Sequence, residues 1–210
     1  MGDIGIAVGP NDQDDASQWN DALAVADLDG LVGGGSTCDA ATLQFDVVSS
    51  NSFVLQFQYI FASEEYPEWI GDYNDPVAFF VTTNRVGANW IITTNNNIAL
   101  IPGTNLPVTV NMINGGGLNI GSQVYYQPTN PQFYVDNADP FYSADPLYSA
   151  SAPVFNIQYD GTTVRLTAQI PVSANVTNHI KIAIEDYGDD VLDSAIFIKA
   201  WEPGPCCQCQ

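Results

Sequence analysis

The sequence predicts an all-β fold, a β-sandwich of jelly-roll type, and three observations carry that expectation. Apolar and polar residues alternate with period 2 in several runs. Gly, Asn and Pro punctuate those runs at short intervals. A helical pattern is confined to one short stretch near the N-terminus.

The elements follow in order. The stretch 3–9, DIGIAVG, alternates apolar residues and reads either as a first strand or as a strand donated to a neighbour. The helical pattern runs from Ala22 to Val32 and stops at Gly33, Gly34 and Gly35. Phe53, Leu55, Phe57, Tyr59 and Phe61 then share one strand face, with Gln56 and Gln58 opposite. After the Asp160–Gly161 turn, Val164, Leu166, Ala168 and Ile170 alternate with polar residues. Ile180, Ile182 and Ile184 alternate with His179, Lys181 and Glu185, which puts His179 on a polar, exposed face rather than in a catalytic role. Further strands are expected at 43–48, 77–83, 89–93, 97–101, 107–113, 155–159 and 195–201. The whole reads as one domain over 1–201 with a tail over 202–210. Residues 114–153 form a long insertion rich in aromatics and proline, with the tandem repeat ADPFYS, ADPLYS.

Composition narrows the function classes. The chain has 24 Asp and Glu against 4 Lys and Arg, a net charge of −20. Phosphate binding needs clustered cationic side chains, so nucleic acid and anionic membrane surfaces are poor partners. A bound cation, by contrast, relieves self-repulsion among carboxylates. No apolar run reaches the ~20 residues of a membrane span. No basic n-region with an apolar run follows Met1, so either a leader is removed or export takes another route.

Cysteines stand at Cys38, Cys206, Cys207 and Cys209. The terminal Cys-Cys-Gln-Cys lacks the paired spacing of a zinc site. Disulfide cross-links between chains or from tail to body, or incidental thiols on a tail, are the better readings.

At FQYIFASEEYPEW and NDPVAFFV the chain resembles the choice-of-anchor L domain family. ADLDGLV, DAATLQFDVV, NIALIPGTNLPVTVNMIN, FYVDN, IQYDGTTVRLTAQIPV and HIKIAIEDYGDDVLDSAIFIKA follow in matching order. The resemblance covers roughly residues 22–201. It implies a β-rich domain that is extracellular or on a cell or spore surface, and it implies little about biochemical activity.

Two acidic loops, 64–75 and 185–193, each join one strand to the next. Equivalent strand ends of a sandwich gather at one pole, so these loops can meet. Glu64, Glu65, Asp75, Asp186 and Asp193 are then candidate oxygen ligands for calcium, with Asn74, Asp189 and Asp190 as secondary candidates. A carboxylate pair would also serve a hydrolase, but no further catalytic signature accompanies it. The acidic run 11–15 reads as a solvated loop. The expectation is a non-catalytic, calcium-stabilised surface protein that assembles with copies of itself by strand donation or disulfides. The alternative is an adhesion or glycan-binding module using Tyr125, Tyr126, Phe133, Tyr142 and Tyr148.

Overall fold

Strand alternation requires two covers, one for each apolar face. The computed structural model, which describes residues 4–13, 15–34, 37–138 and 153–199, supplies them as an all-β sandwich. In chain order, a helical turn α1 (Ala26–Asp29) precedes β1 (Thr37–Val47), β2 (Phe53–Ser63) and β3 (Pro76–Thr82). Two hairpins follow, β4 (Arg85–Val86) with β5 (Asn89–Trp90), and later β7 (Gly117–Leu118) with β8 (Tyr125–Tyr126); β6 (Val108–Thr109) lies between them. The remaining strands are β9 (Tyr134–Asp136), β10 (Gly161–Thr163), β11 (Leu166–Val172), β12 (Asn178–Tyr187) and β13 (Ser194–Ile198).

One sheet has the order β1-β12-β3-β6, and the other β11-β2-β10-β9. β13 pairs with Tyr59–Ser63 of β2, on the edge opposite β10 and β11. The odd-numbered residues of β2 face the odd-numbered residues of β3 across the core, where the rings of Tyr59 and Phe79 lie 4.6 Å apart. Phe61, Val77, Ile180, Ile182 and Leu166 complete this layer, all buried. Each such side chain contributes about 1.5–3 kcal/mol by leaving water.

The β1-β12-β3 sheet is covered on its second face too. Leu28 of α1 is fully buried against Ala78, Phe80 and Ala183, with Val25, Leu31 and Ile92 around it. His179 is therefore buried, not exposed as its alternation with Lys181 suggests. Its ring stacks on Trp90 at 5.0 Å, and Nδ1 meets Asp46 Oδ1 at 2.7 Å. Lys181 is buried beside it and donates to Asp27 Oδ2 at 2.7 Å. Removing one member of a buried ion pair strands the other charge. Asp27→Ala is accordingly expected to cost about 2–4 kcal/mol, discounted for the partial exposure of Asp27. Adding Lys181→Met should restore much of that loss in chemical denaturation. Equal midpoints for Asp27→Ala and the parent would show that the pair does not matter.

Other elements differ from the sequence expectation for local reasons. The helix expected over 22–32 is only α1, because Val25 provides no side-chain cap and Gly30 closes the turn. The runs 97–101 and 155–159 make isolated bridges, not strands. At the first of these, the Asn97 side chain accepts from the backbone amides of Phe79 and Ala99 and takes the place of a ladder. The run 107–113 divides into β6 and a 3-10 turn, Val110–Met112. Residues Ile4–Ala7 form a 3-10 turn where DIGIAVG suggests a strand. Ala7 alone of that turn is buried, against Ala62 and Tyr159, and its carbonyl accepts from Gln158 N at 3.3 Å.

The repeat ADPFYS, ADPLYS, with Tyr142 and Tyr148, and the cysteines Cys206, Cys207 and Cys209 lie outside the described residues. No helix among the described residues is long and apolar enough to cross a membrane.

Only four side chains offer trypsin a site, and the fold ranks them. Lys181 sits in an inner strand of its sheet, paired on both sides. Arg85 lies in an exposed hairpin, Arg165 is exposed in the break between β10 and β11, and Lys199 is exposed just after β13. Limited digestion of native protein should cut at these three and leave Lys181 intact. An early cut at Lys181 would contradict the register of β12.

Candidate metal centre

Antiparallel register gathers the acids. Cys38 pairs with Asp186 across β1 and β12, while Ser63 at the end of β2 pairs with both Ser194 and Gly161. The starts of β1, β10 and β13 and the ends of β2 and β12 therefore meet at one pole. Asp39, Glu64, Glu65, Asp75, Asp160, Asp186 and Asp193 are all buried there. The carboxylates of Asp39, Asp186 and Asp193 each place an oxygen within 4.8 Å of the others.

A register shift between Cys38 and Ala41 and a left-handed backbone at Asp39 (φ 55°) turn this residue into the group. Asn20 N donates to both Asp39 oxygens, at 3.0 and 3.1 Å, and Gln18 N donates to Asp193 Oδ1 at 3.1 Å. The segment before α1 thus holds two of the three acids in place.

Asp75 is a brace. Its oxygens accept from Tyr187 N at 2.9 Å and Ser194 Oγ at 2.6 Å, tying β3, β12 and β13 together. Glu64 sits to one side, where Oε2 accepts from Asp160 N at 3.0 Å and Asn11 Nδ2 donates to Asp160 at 2.7 Å. Glu65 is fully buried, and neither of its carboxylate oxygens has a hydrogen-bond partner among the described residues. Its nearest charges are Asp75, Asp189 and Asp186.

Burial pushes these carboxyls up. Desolvation, then the Asp75 charge, raises Glu65 to about 11 and Asp186 to about 10. Desolvation and Asp160 raise Glu64 to about 10. Asp75 is raised less, to about 7, because burial is offset by its Ser194 and Tyr187 donors. No lysine or arginine is in the pole. Lys181 pairs with Asp27, Arg85 lies over Trp90, and Arg165 and Lys199 are exposed.

The residues fit a hard divalent ion. Oxygens sharing one calcium at 2.3–2.6 Å are separated by at most about 5 Å, and the three aspartates meet that limit. Of these three, Asp186 and Asp193 are among the candidates named from the sequence, and Asp39 is not. Of the secondary candidates, Asn74 Oδ1 accepts from Asn111 N, Asp189 caps Val191 N, and Asp190 is exposed. In the run 11–15, Asn11 is buried under Asp160, whereas Asp12 and Asp15 are exposed.

Cys38, a candidate for cross-linking, makes no disulfide among the described residues, and its thiol donates to the Asp189 carbonyl. Burial, then Asp186, pushes it up to about 11, so little thiolate is present at neutral pH. Of the aromatic candidates, Tyr125 is exposed, while Tyr126 and Phe133 pack against the core.

The model of the choice-of-anchor L domain matches residues 2–202, nearly the whole chain. The chain belongs to this family. No curated protein and no solved structure matches it. The choice-of-anchor L family is a surface-anchoring domain family, not a known enzyme family, and membership implies a secreted or surface-associated protein.

Proposed function

We propose that this choice-of-anchor L domain is a non-catalytic structural module of a cell or spore surface, braced by calcium and assembling with copies of itself. One observation carries the calcium reading. Three buried aspartates converge within 4.8 Å beside the fully buried Glu65, whose two oxygens have no hydrogen-bond partner among the described residues. Carboxylates buried this deeply cost several kcal/mol each if ionised, on the order given for buried ions. A divalent ion removes that cost by replacing the water the oxygens have lost. Its role is structural, since it would join the segment before α1 and strands β1, β12 and β13 in one knot.

Calorimetric titration of chelator-treated protein with calcium tests this. Binding should be saturable, and Asp186→Asn should weaken it by at least about tenfold, as loss of a charged ligand does. A flat titration with the parent protein would end the calcium reading and leave the surface role standing.

A further inference from the structure

We propose that the open edge of β2 receives the N-terminal segment Ile4–Val8 of a second copy of this chain. The inference rests on the reading of the domain as a self-assembling subunit and names where one subunit enters the next.

The acceptor is a gap in the sandwich. β11 pairs with Phe53–Tyr59 along one edge of β2, but β13 covers only Tyr59–Ser63 on the other. Among the described residues, the last bond on that side runs from Lys199 N to Gln58 O at 2.9 Å. Backbone groups in a strand alternate sides, so those of Val54 and Gln56 point the same way as Gln58. Among the described residues no strand meets them. Beneath this edge, a cleft of about 770 Å³ opens between the sheets, lined by Phe45, Val47, Leu55, Phe57 and Ile198.

The chain's own continuation does not suit the gap. Carried on in the register of β13, which pairs Ile198 with Tyr59, the inward positions fall on Ala200, Glu202 and Gly204. None can fill a pocket of aromatic and branched side chains, and a carboxylate there would be desolvated without a partner. Pro203 falls opposite Val54, where the ladder needs an N–H.

The N-terminal segment has what the gap lacks. Ile4, Ile6 and Val8 alternate with Gly5, Ala7 and Gly9, so one strand face is apolar and the other small. In its own subunit this face is poorly used, with Ile4 86% and Val8 71% exposed. Ile4–Gly9 equals Phe53–Gln58 in length, about 20 Å when extended. Asn11 is fixed by bonds to Asp160 and the Asn137 carbonyl. Donation would exchange two contacts nearer the segment, the Val8–Ile157 bridge and the bond from Gln158 N to the Ala7 carbonyl, for ladder bonds on the acceptor edge. Main-chain bonds to an exposed sheet edge would supply affinity, and the alternate pockets would select the donor.

The test uses the full chain with calcium and a reductant, so that disulfides play no part. Sedimentation velocity should show concentration-dependent multimers for the parent and a monomer for the double variant Ile4→Asp/Val8→Asp, whose exposed positions leave the melting midpoint unchanged. A synthetic peptide GDIGIAVG added to that variant should slow hydrogen exchange at Val54 and Gln56 by about tenfold or more, as ladder bonding does. Multimers of the double variant equal to those of the parent would overturn the strand donation while sparing self-assembly. A parent that stays monomeric throughout would overturn both. A peptide that leaves Val54 and Gln56 unprotected would overturn the proposed acceptor.

Discussion

Calcium in excess over chelator is expected to raise the midpoint of thermal unfolding by about 5–11 °C. An ion that binds only the native state stabilises it by about 2.7 kcal/mol at a hundred times its Kd. For a domain of this size each kcal/mol moves the midpoint by about 2–4 °C. Asp39, Asp186 and Asp193 come together only when the sandwich is closed, so the unfolded chain offers no comparable site. Magnesium should do less, because it sheds its waters reluctantly and needs a tighter octahedron. Asp193→Ala should remove the calcium-dependent part of the rise. The measurement is a pair of melts at fixed ionic strength. Coincident midpoints for the parent protein would remove the ion from the fold.

Without calcium, stability should fall as pH rises, the reverse of the usual behaviour of paired carboxylates. Glu64, Glu65 and Asp186 are raised from ordinary values near 4.5 and 3.8 to about 10 or 11, chiefly by burial. Between those limits the native chain binds more protons than the unfolded one, so unfolding releases protons and becomes easier as pH rises. The stability is fully present below the unfolded values and is lost as pH climbs toward the folded ones. Each carboxyl held protonated contributes a slope of about 1.4 kcal/mol per pH unit. Calcium competes with these protons, so its affinity should increase over the same range and flatten the trend. Melts between about pH 5 and 8 in chelator and in calcium decide the matter. A chelator series whose midpoints rise with pH would show that these groups are ionised in the native state.

The pole was legible in the sequence because antiparallel strands return their ends to the same side. The segments 64–75 and 188–193 each lie between a strand that ends there and one that begins there, with Asp186 still within the end of β12. Asp39 escaped notice because a bulge and a left-handed residue place it, and neither event leaves a periodic trace. The β2 pattern read correctly, since its Phe57, Tyr59 and Phe61 face is core while Gln56 and Gln58 are not in it. His179 and Lys181 misled for the opposite reason. Their polar face is covered by α1 and by the β4–β5 hairpin, segments distant in sequence that alternation cannot report. Short side-chain bonds explain the lost strands, as when the Asn97 amide substitutes for a ladder at Phe79 and Ala99.

The pairing of β1 with β12 has a kinetic meaning. Thr37 lies opposite Tyr187 and Val47 opposite Asn178, so the first long strand has to wait for the ninth tenth of the chain before its neighbour exists. Loop closure over such separations is slow, and contacts this distant in sequence place the domain among slow folders. A chain emerging N-terminus first from a ribosome or a narrow export channel would carry β1 as an unpaired strand for most of its passage. Closure then comes late and all at once, when β12 arrives between β1 and β3 and completes the four-stranded sheet. Truncated chains ending before residue 178 should accordingly lack the cooperative transition of the whole domain.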